Sequence, residues 1–302
     1  MKPLETFVAT DARAPLRAPL PPARPARQRL DARALIASKP GPTPAAAAAL
    51  ARLEQHGGAK LRLPKVSGDA LAAVTLNTAG GLTGDDRIDW RASAGSGSRL
   101  TLASAACEKV YRTHGPPAHQ TTRLDVETGA RLDWLPQETI VFDGARLHRT
   151  LDATLAPRAR LLVAEALVLG RQCSGERLAR VEIRDRWRVR GPDGRLLHAE
   201  DLRLGDGWPQ AADGPGTLGG AVAMATVLYC EDAPPESLAR LADTLHTVID
   251  TSPAPGSGGV SALDGRLVIR LVAPSGFALR RTLLPCLVAL QDGHALPRVW
   301  HV

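Results

Sequence analysis

The stretch LNTAGGLTGDDR, Leu76 to Arg87, sets three glycines against the adjacent carboxylates Asp85 and Asp86. A nucleotide P-loop needs GxxxxGK[ST], and here an acidic pair follows the last glycine where a lysine would have to reach phosphate. A dinucleotide loop needs a helix after it, and the residues that follow, RIDW, alternate like a strand. Two readings remain open. Asp85, Asp86 and the Thr83 hydroxyl are hard oxygen donors that a turn could aim at a divalent ion. Equally, glycine permits the left-handed backbone and aspartate closes the bend. Glu138 and Asp143 form a second carboxylate pair that could serve as acid and base, so a metal-dependent hydrolase using Asp86 and Glu138 is one alternative. Among the 8 histidines there is no HxH or HExxH spacing, and GxSxG is absent. The 4 cysteines, Cys107, Cys173, Cys230 and Cys286, form no CxxC pair and read as buried, reduced thiols.

Short period-two runs must position these groups. KLRLPKV, DALAAVTLN, RIDWRAS, RLTLASA, TTRLDVE, ARLDWLP, TIVFD, LHRTLDATL and ARLLVAEALVLG follow one another, punctuated by glycine, proline and Asp-Gly pairs. RVEIRDRWRVR and RLLHAEDLRL flank Asp193-Gly194, and GVSAL and RLVIRLVA flank Asp264-Gly265, two hairpin signals. Helical spacing shows in PESLARLADTLHTVID, and again in SGFALRRTLLPCLVALQDG, where Pro285 removes an amide donor and predicts a kink. Pro42 to Gly58 also reads as a helix, capped by Thr43, with Pro44 in its first turn and Gly57 at its end. The fold class expected is all-β, mainly antiparallel, with two helices in the C-terminal half. Residues 1–33, rich in proline and arginine, read as a disordered tail ahead of a single domain over 34–302.

The 302 residues suffice for a substantial core, and with 3% aromatics it must be built from Leu, Val and Ala. No apolar run approaches the roughly 20 residues that cross a bilayer, and the first residues lack a secretory h-region, so the expectation is a cytoplasmic chain with no membrane partner. The net charge is +7, and only five of 38 basic residues are lysine. Arginine excess raises an arginine-rich nucleic-acid binder as a further alternative. The arginines mostly alternate with acids, as in RVEIRDRWRVR, which speaks against nucleic acid.

Four blocks in order change the weighting: LNTAGGLTGDDR, CEKVYR at 107–112, GARLDWLPQETIVFDGARL at 129–147 and EALVLGRQCSGE at 165–176. With LRRTLLPCLVALQDGHALPRVW at the end, they resemble the urease accessory protein UreD (UreH) family from about Arg27 to Val302. The resemblance implies a stacked-sheet, β-helix-like fold and a non-catalytic maturation factor. It also implies partners, namely apo-urease, a UreF-like protein and, through it, a UreG-like GTPase that brings nickel. No tightly bound cofactor is implied, only transient Ni²⁺ passing through a polar tunnel. Asp86, Glu138, Asp143, Glu165 and Glu176 fall in the matching blocks and are the carboxylates the resemblance offers for that passage. Glu165 and Glu176 have a plainer alternative, pairing with Arg171 or another arginine nearby. Asp85 stands where the family usually has glycine, and Ala105 where it has glutamine.

Overall fold

The computed structural model describes residues 29–301, apart from 44–45, 66–67, 206, 209, 215 and 255. The chain opens with β1 (Asp31–Lys39), β2 (Ala49–His56) and β3 (Ala59–Arg62). It then winds back and forth through β4 (Leu71–Asn77), β5 (Arg87–Ala94), β6 (Arg99–Ser104), β7 (Glu108–Val110), β8 (Ala118–Val126) and β9 (Arg131–Leu135). The winding continues through β10 (Thr139–Val141), β11 (Ala145–Leu155), β12 (Arg160–Leu169), β13 (Val181–Arg190) and β14 (Leu196–Leu204). The last elements are β15 (Ala223–Glu231), α1 (Pro235–Asp250), β16 (Ser257–Leu263), β17 (Arg266–Ala273) and α2 (Gly276–Ala289).

Successive long strands go to opposite layers. One sheet runs β14-β13-β11-β8-β5-β1-β2, and the other runs β16-β17-β15-β12-β9-β6-β4-β3, with β10 and β7 joined to it at β12. Because every second strand returns to the same layer in the same direction, the centre of each sheet is parallel. This holds for β1, β5, β8, β11 and β13 in the first sheet and for β4, β6, β9 and β12 in the second. Antiparallel pairing is confined to the flanks, including both Asp-Gly hairpins, β13–β14 and β16–β17. The all-β, stacked-sheet expectation holds, and its mainly antiparallel character is corrected to mixed. Period two reports that a strand has two faces, and both kinds of ladder share it.

The expected helix over Pro42–Gly58 is a strand. Ala49–His56 pairs antiparallel with β1, and Gly57 (φ 59°) turns the chain into β3 instead of capping a helix. A free edge of β1 offers a ladder of backbone partners, and that tertiary pairing overrides alanine's local preference. β1 begins at Asp31, inside the stretch assigned to the tail, and residues 1–28 lie outside those described.

Both C-terminal helices form where the spacing put them. Leu238, Ala242 and Leu245 of α1 and Leu279, Leu283, Cys286 and Leu287 of α2 are buried against the second sheet. Ser275 caps α2, its hydroxyl accepting from the Ala278 amide at 3.0 Å. Pro285 sits within α2 on its exposed side, as does Arg281, so the carbonyl it leaves unpaired faces water.

Three layers result, and they bury the two sheets differently. The first sheet turns one face to water, so β13 alternates buried and open. The second is covered on both faces, and β12 is buried without a break from Leu161 to Leu169. Each fully buried Leu or Val contributes roughly 1.5–3 kcal/mol.

Candidate functional site

The Asp86 turn joins β4 to β5. The Asp86 carboxylate accepts from the backbone amides of Leu30 and Thr83, each at 2.8 Å, so both oxygens are occupied in fastening the turn to the start of β1. A Cβ on Gly81 would lie 2.7 Å from the Lys109 carbonyl, and one on Gly84 2.6 Å from that of Pro116, so these glycines allow backbone to approach backbone. Asp85 has φ 67°, the left-handed conformation that glycine adopts most readily, and it pairs with Arg29 at 2.8 Å.

Asp143 is engaged in the same manner. One oxygen accepts from the Ala179 and Arg180 amides at 2.8 and 2.9 Å, and the other meets Arg112 at 2.6 Å. Burial pushes this carboxyl up, but the two amides and Arg112 hold it below the usual range. Glu176 takes the pairing offered as its plainer alternative. It accepts from the Arg171 guanidinium at 3.1 and 3.2 Å and from the Arg171 amide at 3.1 Å, and the Arg171 hydrogen bond holds it low.

Glu165 also pairs with an arginine, as its plainer alternative had it, but it does so in the core. On β12 it points into the core between the sheets, where Trp134 donates to it at 2.9 Å and Arg149 at 2.5 Å. The other Arg149 amino group meets Asp185, which also accepts from Trp187 at 3.1 Å. Arg149 and Asp185 are register partners on β11 and β13. One guanidinium therefore faces two carboxylates, and its Nε has no partner. Burial pushes the Glu165 carboxyl up against the pull of Arg149, and Asp185 adds to the rise.

A cavity of about 230 Å³ reaches this carboxylate from outside, passing Asn77, Cys107, Glu108, Gln120 and Thr139. Asn77 donates to both Glu108 oxygens at 3.2 Å, yet burial pushes Glu108 up to about 7. A second cleft of about 570 Å³ opens beside α2, between Glu138, Ile140, Phe277 and Arg280, and shares Cys107 and Lys109 with the first. There Glu138, 5% exposed, accepts from the Cys107 thiol at 3.4 Å and faces Arg280 at 3.5 Å. Burial, reinforced by Glu138, pushes the Cys107 thiol up to about 11, so it stays neutral and a weak ligand near pH 7.

Of the five carboxylates expected to act together, Glu138 and Glu165 thus lie on adjoining cavities, whereas Asp86, Asp143 and Glu176 are held by backbone amides and arginines, Glu176 beside the Asp143 backbone. Asp86 and Glu138 share neither of these cavities. Among the described residues, no three His, Cys, Asp or Glu side chains are grouped to hold a metal ion. The sequence reading missed Arg149, Asp185, Cys107 and Glu108. Parity could have found the first two, since Leu147-Arg149-Leu151 and Ile183-Asp185-Trp187 put a charge in the apolar phase of a strand.

Comparison with known proteins places this geometry. The family model for the UreD urease accessory protein matches residues 38–301. A urease accessory protein UreD of Rhizobium leguminosarum bv. viciae is 47% identical over 250 residues, covering 83% of this chain and 88% of its own. That of Chelativorans sp. (strain BNC1) is 45% identical over 253 residues, with 84% and 88% covered. Urease accessory protein UreD 1 of Brucella abortus biovar 1 is 44% identical over 259 residues, with 84% and 88% covered. With nearly the whole described chain matched by the family model and relatives above 40% identical over most of their length, the protein belongs to the UreD family of urease accessory proteins.

Proposed function

We propose that this chain is a non-catalytic scaffold and nickel conduit that joins UreF-like and UreG-like accessory proteins to apo-urease. The supporting observation is the pair of cavities that meet at Cys107 and Lys109, running from the outer side of α2 to the Glu165 carboxylate between the sheets. Carboxylates and amides hold a divalent cation less tightly than thiolate or multi-histidine cages, which suits a group that must also let go. Glu108, with a pKa of about 7, can exchange a proton for a passing cation near neutrality. The two carboxylates around Arg149 leave a local negative charge at the inner end.

The mouth of this route adjoins an apolar face. Phe277 is 73% exposed and Val288 50%, both on α2, and such side chains on an outer helix suit a protein partner. The accessory partner accordingly docks over α2 and delivers nickel into the cleft beside Phe277. Asp86, Asp143 and Glu176 act in this reading by fixing the turns around the route.

The test co-expresses apo-urease and the accessory partners with Glu108→Gln or Glu165→Gln chains. Nickel per urease should fall severalfold while the complex still co-purifies. Unchanged nickel content in both variants, with intact complex, sinks the conduit and leaves only a docking role.

A further inference from the structure

The geometry points to a second docking surface, the water-facing side of the first sheet, built to receive a protein partner with a flat acidic face. On β13 the outward positions carry Arg184, Arg186, Arg188 and Arg190, four guanidinium groups along one strand, about 7 Å apart. Arg184 lies beside Arg203 of β14 on one side and His148 of β11 on the other. His119 of β8 and Arg87 of β5 extend that row across the sheet. The next row runs Asp201, Arg186, Thr150, Thr121 and Asp89, and the one after it Arg188, Asp152, Arg123 and Arg91.

Some of these charges are already answered. Asp89 pairs with Arg91 at 3.3 Å and Arg123 at 3.7 Å, Glu182 with Arg146 at 2.5 Å, and Asp201 with Arg203 at 3.0 Å. Among the described residues Arg186, Arg190 and Arg87 have no carboxylate within 4.0 Å. The excess is therefore positive and concentrated along β13. Unlike α2, the central strands of this face expose no phenyl or indole ring and no large apolar side chain; their rings are the His119 and His148 imidazoles, and Leu196 lies at the edge. Attraction there must come from charge.

The pattern selects among occupants. Phosphate backbones would meet Asp152, Asp125 and Asp89 set among the arginines, which interrupts the continuous basic track such a ligand needs. A second copy of the chain would present the same excess of cations. The N-terminal segment is itself arginine-rich. A protein surface with a majority of acids and a few cations can match the checkerboard position by position. Six strands about 4.8 Å apart and about seven residues long offer roughly 600 Å², close to the roughly 800 Å² one partner gives to a standard interface. The surface lies across two layers from α2, so both faces can be occupied together.

This inference rests on the accessory reading only for its probes. Binding of the full chain to purified apo-urease, to a purified UreF-like protein and to a duplex DNA is measured at two salt concentrations. The variants are Arg186→Glu/Arg190→Glu, the milder Arg186→Ala/Arg190→Ala, and Arg240→Glu on α1 as control. One of the two proteins should bind the glutamate pair at least about tenfold more weakly, the alanine pair less so, with a flatter salt dependence in both. The control should match wild type, and thermal unfolding of the alanine pair should be unchanged. Equal binding of both proteins to wild type and to the alanine and glutamate pairs overturns the surface. Loss of DNA binding alone also overturns it and makes the face a nucleic-acid site. Wild-type chain that binds neither protein removes the accessory reading, and this surface with it.

Discussion

Arg149 and Arg131 are both buried arginines on central strands, each paired with two carboxylates, yet they tie different parts of the molecule together. Arg131 uses every nitrogen, donating to Asp133 at 2.8 Å, to Asp292 at 2.6 Å and to the Leu290 carbonyl at 2.7 Å. Its register neighbour Arg99 donates to Gln291 at 2.8 Å and to Asp133 at 3.4 Å. Two cations thus share one deep carboxylate, with Asp292 at the end of α2 and Asp69, 3.8 Å from Arg99, as further carboxylates. Between the sheets two carboxylates share Arg149 alone. The first cluster ties its cations to a helix end and latches the third layer to the second. The second leaves the Glu165 carboxylate on a cavity, as the reservoir of the proposed conduit.

The sharpest way to break this contrast is to remove each arginine. Arg149→Met strands two carboxylates in the core and should lower unfolding free energy by about 3–5 kcal/mol, measured by urea denaturation. The loss should shrink in acid, where the carboxyls protonate. Arg131→Met removes charged hydrogen bonds from a latch that Arg99 still partly supports, for about 2–3 kcal/mol. It should also speed amide exchange in α2 relative to the core strands. If Arg131→Met loosens the inter-sheet core and leaves α2 protected, the division between latch and reservoir is wrong.

The reservoir can be sharpened through pH. The folded-state pKa of Glu108 is raised from an ordinary 4.5 to about 7, so the folded protein binds the extra proton. Its contribution is fully present below 4.5 and is lost as pH rises to about 7. Burial raises Glu165 in the same direction. Glu108→Gln should flatten stability across that window. A steeper profile in Glu108→Gln would put the proton elsewhere. The smallest expected effect is outside both clusters. Asp85→Gly relieves a left-handed aspartate and loses an exposed ion pair with Arg29, for a net gain of up to about 1 kcal/mol in thermal melts.

What could be read from the sequence follows the same physics. Alternation located the long strands of the first sheet after β3, because each has one face in a core, whereas β12, buried on both faces, shows as an apolar run. It could not show which strands pair, since winding the chain through two layers leaves no mark in period two. β2 was misread because Pro44 and the alanine run favour a helix locally, whereas the open edge of β1 decides the matter from a distance. At the site, the acids in the matching blocks were legible as residues but not as neighbours. Asp86 and Glu165 look alike in sequence, and only backbone amides around one and an arginine shared with Asp185 around the other separate them. Arg149 sat in plain view, in the wrong phase of its strand.

The helices that close the third layer are the last large elements in the chain. Until Pro235 to Ala289 have left the ribosome, Leu162, Ala164, Val227 and Tyr229 of the second sheet have no cover. A nascent chain therefore carries a bare apolar wall through the last part of its synthesis. Truncation before α2 should make the product sticky long before it becomes unfolded, and cells that make this protein must shield that wall until translation ends.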